Sequence, residues 1–297
     1  GNKRKDKVKQ VIQEIDLFKK LSIDNRNELI EHSELVSYSI GQPLATTLIL
    51  QDKVLIILQG SARVMGLQEG NLETIGELKN GSVVGLSSLL LGTPCEEISA
   101  KTEVIALSIT DKYILQLYKT EKYFRDFCQH NIFPGEISKL SSFLIEKSPR
   151  TDISMKSSFN NLLRFTKVKE IKENRSIEIQ DNEIIFAVSS NINGKEFGDI
   201  IETNIQVGDN YLFQPRFLAI PRELYNEFMQ HKKDNLNIPK DEDKIDDNII
   251  TPSKDLPYKS TLDFDSYNNK KKNKLIRANG ELQEALAVLN MIANELE

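Results

Sequence analysis

From Leu35 to Thr110 a turn signal cuts the chain every eight to twelve residues, and short stretches rich in Val, Ile, Leu and Thr run between the cuts. The turns fall at Gly41 with Pro43, Gln51 with Asp52, Gly60, Glu69 with Gly70, and Asn80 with Gly81. Segments this short are strands, and this many in succession, with no helical pattern between them, pack on one another as a sandwich or barrel. On both sides the period turns helical. Val8, Val11, Ile15, Phe18, Leu21, Leu29 and Ile30 mark it before the strands, with Asp24 and Asn25 as the expected cap of the second helix. Tyr113, Ile114, Leu117, Tyr118, Phe124, Phe127 and Cys128 mark it after them, Cys128 as a buried thiol. Leu55, Ile57, Val64 and Leu107 are the expected strand core, Leu55 and Ile57 on one face.

Composition narrows what such a chain can do. Its 297 residues, 39% hydrophobic, suffice for two folded units. A net charge of -5 and a pI near 5.5 argue against a nucleic-acid binder, which carries a basic face. The two cysteines make no disulfide framework, and the three histidines are too scattered for a zinc site. The longest apolar runs, "VLIIL" and "SSLLLG", fall far short of the ~18 residues of a membrane span, so none is expected. "GNKRKDK" lacks the apolar stretch of a signal peptide, and Gly1 reads as a cleavage scar on part of a longer protein.

Residues 151–231 form a second strand-rich stretch. A helix is expected toward Leu162 and Phe165, strands through Ile177, Ile179, Ile184, Phe186 and Val188, a hairpin turn at "NING" (191–194), and a short helix after Pro221. "NEIIFAVSSNINGKEFG" and "IQVGD" echo the first unit, which suggests a smaller β-rich domain descended from a decayed barrel repeat. No Lys/Arg cluster marks a recognition helix here. Residues 232–274 turn to Asp, Lys, Asn and Pro, the composition of a charged linker.

Across residues 8 to 145 the series "LFKKLSIDNRNELIEH", "YSIGQPL", "VLIILQGSARVM" and "IGELKNGSVVGLSSLL", closed by a helix, resembles the cyclic-nucleotide-binding domain family. The resemblance implies an α+β, mainly β fold: a double-stranded β-helix (jelly-roll) barrel flanked by helices over 1–150. That family grips its ligand with a cassette reading roughly Phe-Gly-Glu-Leu-Ala-Leu, a spacer, then Pro-Arg-Ala-Ala-Thr. Laid ungapped on it, Gly85 takes the Gly place, Leu86 the ribose-binding Glu, Pro94 the Pro and Cys95 the phosphate-binding Arg. Neither polar group is present, and Glu96 and Glu97 add negative charge. The candidate ligand site is therefore a degenerate one of Gly85, Leu86, Ser87, Ser88, Cys95 and Glu96. Arg63 or Lys101 could replace the missing cation, although strand Arg and Lys usually face solvent. Ser87 and Ser88 are expected as plain helix caps or as flanks of a backbone anion site. Cys95 is expected as an ordinary loop thiol, unreactive because the adjacent glutamates raise its pKa.

Residues 275–297 carry a second resemblance. "EALAVLNMIANEL" is similar to the first helix of the cysteine peptidase domain on peptide-exporting ABC transporters, with Glu284 where the nucleophilic cysteine would stand. Together the two resemblances imply a soluble N-terminal regulatory region of a peptide- or toxin-secretion ABC transporter, at the cytoplasmic face of the inner membrane. ATP binding would belong to the full-length protein. The implied partners are the remaining transporter domains, the exported peptide, and a second copy through the transporter; nucleic acid is not among them. The alternative is a working cAMP or cGMP sensor on the same transporter. No nucleophile-elbow motif appears, so no enzyme activity, cofactor or metal is expected.

Overall fold

The computed structural model describes residues 2–209 and 211–230. The expected linker at 232–274 and peptidase-like helix at 275–297 lie outside them. Three helices open the chain, α1 (Asn2–Glu14), α2 (Asp16–Lys19) and α3 (Ile23–Glu31). Eight strands follow: β1 (Ser33–Tyr38), β2 (Pro43–Ala45), β3 (Lys53–Gln59), β4 (Ala62–Gln68), β5 (Asn71–Leu78), β6 (Val83–Val84), β7 (Ile98–Ala100) and β8 (Val104–Thr110). Helix α4 (Leu86–Leu91) sits between β6 and β7. They build two four-stranded antiparallel sheets, ordered β1-β8-β3-β6 and β2-β7-β4-β5. Eight strands shared in this alternating order make a jelly roll. The expected turns hold, with Gly41, Gly60, Glu69, Gly70 and Gly81 all at positive φ.

Apolar residues on β3 run without a break because both faces of its sheet are covered. Leu55 and Ile57 face the space between the sheets with Val64, while Val54, Ile56 and Leu107 pack outward on the helices. All four residues expected in the core are buried, at 0–2% exposure. In α1 the phase differs from the sequence reading. Val8 and Ile12 are buried, while Val11 is only half-buried, because α1 turns its 8/12 edge to the core, and Ile15 falls in the extended link to α2. The cap of α3 is Ser22 rather than Asp24, its hydroxyl accepting the Asn25 N–H at 3.3 Å.

After β8 come α5 (Asp111–Thr120), α6 (Lys122–His130), α7 (Pro134–Lys147) and α8 (Met155–Phe165), then β9 (Lys167–Val168), β10 (Ser176–Ile177), β11 (Glu183–Ala187), β12 (Ile205–Gln206), β13 (Phe217–Pro221) and α9 (Arg222–Met229). The later strands form sheets β11-β13-β9 and β10-β12. "NING" is part of a wide loop rather than a tight hairpin turn: Phe186 bridges Ile200 across residues 187–199.

The first unit's plan returns in the second, shortened. Helix α3 leads through His32 alone into β1, and α8 leads through Thr166 alone into β9. Strand β8 runs directly into α5, and β13 directly into α9. The order β1-β8-β3 is matched by β9-β13-β11, antiparallel throughout. Among the described residues, strands β10 and β12 pair only with each other. Phe186, Leu218 and Ile220 join the same apolar cluster as Leu55, Ile137 and Phe159, so the short unit buries its sheet against the first unit's helices and barrel.

Candidate functional site

The degenerate cassette is α4 with the loop that follows it. Two glycines at positive φ bound the helix, Gly85 at 112° and Gly92 at 73°. Leu86, at the place of the family's ribose acceptor, is 1% exposed and belongs to the outer apolar cluster, alongside Leu89 and Leu90. It therefore points away from the other candidates. Ser87, Ser88, Cys95 and Glu96 do come together, each between 0% and 3% exposed. The Ser87 hydroxyl donates to Glu96 Oε1 at 2.8 Å and lies 3.1 Å from Cys95 Sγ, and Ser88 Oγ lies 3.1 Å from the same sulfur. The Cys95 N–H donates to Ser88 Oγ at 2.9 Å.

This corrects two expectations. Ser87 and Ser88 are not caps, because the N-cap is Gly85 and their hydroxyls are spent on the loop across from them. Cys95 is not an open loop residue. Burial pushes its thiol pKa up to about 12, with hydrogen bonds from Ser87 and Ser88 only partly opposing the rise. Desolvation, not the neighbouring glutamates, keeps it protonated and unreactive. Glu97 turns the other way, its Oε2 accepting from the N–H and hydroxyl of Thr47 at 3.0 and 3.1 Å.

Neither cation considered from sequence reaches the cluster. Arg63 is exposed between buried Ala62 and Val64, and Lys101 pairs with Glu77 at 2.7 Å on the surface. The cation that does approach was missed. Lys139, one turn beyond the start of α7, donates to Thr93 Oγ1 at 3.1 Å and lies 4.5 Å over the Phe197 ring. Burial lowers its pKa, and the nearby Cys95 partly opposes this. No signal in the helical pattern distinguishes Lys139 from a solvated lysine, since its partners come from residues 93 and 197.

Sequence reasoning also missed a buried ion pair joining the two units. Arg216, just before β13, donates from Nε to Glu136 Oε2 at 2.6 Å and from Nη2 to Glu136 Oε1 at 2.7 Å. Its remaining donors reach the carbonyl of Cys128 at 2.7 Å and that of Asn131. These carbonyls belong to the end of α6, which would otherwise lack partners. Glu136 meanwhile accepts the Phe133 N–H at 2.9 Å and so caps α7, which starts on Pro134. Arg216 thus fastens the α6–α7 elbow from the second unit. Burial pulls its pKa down and the Glu136 carboxylate more than offsets that, so the guanidinium stays charged. A sequence signal did exist: Gly208–Asp209 followed by Pro215–Arg216 resembles the cassette order Gly-Glu then Pro-Arg, with a spacer two residues shorter than Gly85 to Pro94.

Chemically, the cluster offers two hydroxyls and a neutral thiol at its centre, with Glu96 attached through Ser87. Among the described residues no group of three His, Cys, Asp or Glu side chains could hold a metal ion, and no helix is long and apolar enough to cross a membrane.

No protein-family model matches the chain, and no curated protein matches it. Solved structures do. The chain is similar to the regulatory subunit of a cAMP-independent protein kinase A from Trypanosoma brucei, with 20% identity and a TM-score of 0.38 over 42% of this chain and 46% of that one. It is similar to a cyclic nucleotide-binding domain from Methylobacillus flagellatus, with 17% identity and a TM-score of 0.35 over 55% and 84%. A third is cAMP-bound PfPKA-R, with 13% identity and a TM-score of 0.37 over 77% and 84%. The chain spans about half the length of the first three of the solved structures it matches.

Proposed function

We propose that this chain is a regulatory and interaction region in which a cyclic-nucleotide-binding-like jelly roll serves as scaffold and has lost its ligand. The observation that carries the reading is that the phosphate-binding place is filled by Cys95, 3% exposed and neutral, packed with a buried Glu96 that accepts from Ser87. A guanidinium at the Cys95 position would contribute a charge-assisted bond to phosphate of roughly 1.5–3 kcal/mol. Here that bond is missing, and a neutral thiol packed among buried side chains takes its place. The second unit is read as the decayed repeat, on its shared strand order, and its own Pro-Arg step is taken by Glu136. Among the described residues, neither unit then presents a free arginine at its cassette position.

The working-sensor alternative draws on one observation, the Lys139 ammonium at Thr93. Thermal denaturation with millimolar cAMP or cGMP separates the two readings. A ligand at 100 times its dissociation constant adds about 2.7 kcal/mol to stability, whereas the scaffold reading expects no rise in melting temperature. A rise abolished by Lys139→Met would establish the sensor.

The wider setting we propose is the N-terminal region of a peptide- or toxin-secretion ABC transporter at the inner membrane's cytoplasmic face, with the other transporter domains as partners. Support comes from the order of the jelly roll and the peptidase-like segment at 275–297. The chain is assigned no catalytic role and no cofactor. Reading the gene beyond Glu297 tests this: a Walker A motif is expected, and a stop codon or an unrelated domain would overturn it.

A further inference from the structure

Helix α1 carries its charges in the order that its own dipole disfavours. Lys3, Arg4, Lys5 and Lys7 crowd its first turns with Asp6 between them, Glu14 ends it, and Asp16 follows. Aligned peptide dipoles favour acids at the start and bases at the end. Arg4 and Lys5 pair with Glu34 and Glu31 of the same chain, while Lys3, Lys7 and Lys9 make no ion pair among the described residues. The helix also has a second apolar edge. Val11, with Ile15 in the link to α2, is half-buried and opens into a groove of about 460 Å³, walled further by Leu58 and Val83 and rimmed by Glu14 and Asp16.

We infer that this groove seats a second copy of the chain, whose α1 lies antiparallel on the first. The outward stripe of α1 reads Lys7, Val11 and Glu14, with Ile15 just past its end, and it is self-complementary about a two-fold axis at Val11. Residues four apart share a helix face, so the partner's Lys7 comes level with Glu14 and Ile15, and the reverse contact forms at the same time. The ammonium then meets the acidic rim while its methylene stem covers Ile15. Each helix answers the other's misplaced charges, which no ion pair among the described residues does for Lys7. Because the same patch is used twice, the contact closes as a dimer and does not propagate.

The test is the mass of the full chain in solution, by sedimentation velocity up to about 0.5 mM. The inference expects a concentration-dependent species of twice 33.9 kDa, weakened by salt. Lys7 and Glu14 are both exposed, so Lys7→Glu and Glu14→Lys should leave the circular dichroism unchanged. Each alone places like charges together at both ends of the contact and should weaken the dimer about tenfold or more. An equimolar mixture of the two variants restores opposite charges at both ends, and should dimerise like the parent chain. A chain that stays monomeric, a dimer indifferent to both reversals, or a mixture no better than its components would each overturn the inference.

Discussion

Replacing Arg216 by Met should be among the most damaging single changes in the molecule. The methionine keeps an apolar stem beside Phe133, whose ring lies 5.2 Å from the guanidinium, so the change removes charge and hydrogen bonds more than packing. What remains is Glu136, at 0% exposure, with only the Phe133 N–H to hold its charge, and the Cys128 carbonyl at the end of α6 without its donor. Breaking a buried pair by removing one partner costs about 3–5 kcal/mol, because a buried charge is left uncompensated. For a chain of this size that corresponds to a fall in melting temperature of roughly 6–20 °C. Replacing both residues, as Glu136→Met with Arg216→Met, should recover most of the loss, since a buried ion pair and an apolar pair of similar volume are often of equal stability. Urea denaturation followed by far-UV circular dichroism and by tyrosine fluorescence is the assay; the chain has eight tyrosines and no tryptophan. The two probes should report one transition, because the units share a core. A loss below about 1 kcal/mol, or a double variant no better than the single, would show that the elbow does not depend on this pair.

Gly198→Ala should destabilise by about 1–3 kcal/mol, since φ is 88° there and a Cβ would overlap the ring of Phe143; equilibrium denaturation checks it, and a neutral result would mean the 188–198 loop is not held against α7. Cys95 and Cys128 are buried and burial raises both pKa values, so a thiol reagent at pH 8 should label neither in the native chain and both after denaturation. Burial pushes the Glu121 carboxyl up, but hydrogen bonds from Asn25 and Ser22 outweigh it and hold it below the usual 4.5. A depressed carboxyl contributes above its unfolded value and loses that contribution as pH falls through the folded one. Glu121→Gln should therefore be less stable than the parent at neutral pH and should converge with it below about pH 4; parallel melting curves across that range would contradict the role of Glu121.

The jelly roll was legible because its information is local. Turn residues at positive φ, such as Gly41, Gly60 and Gly81, mark strand ends wherever the strands later pair. The helices after β8 were legible for the same reason, through the repeat of Tyr113, Leu117 and Phe124. The face of α1 was misjudged because Val8, Val11, Ile12 and Ile15 offer two apolar edges, and only the docking of α1 decides which is buried. At the candidate site, the ungapped match to the cassette picked out a loop but not which of its side chains meet. It could not show that Leu86 turns to the outer cluster, that Ser87 holds Glu96, or that Lys139 approaches from 46 residues away. Arg216 and Glu136 are 80 residues apart, so the Pro215–Arg216 step hints at one partner and nothing local pairs it with the other.

The claim that the cassette is scaffold is tested most directly by titrating the chain with cAMP and with cGMP in a calorimeter. The account predicts no saturable heat at micromolar nucleotide, because Cys95 offers no cation, Leu86 offers no acceptor toward a ribose, and the side chains packed around that thiol are buried. A dissociation constant at or below about 10 µM would contradict it and would mean that another basic group supplies the phosphate contact.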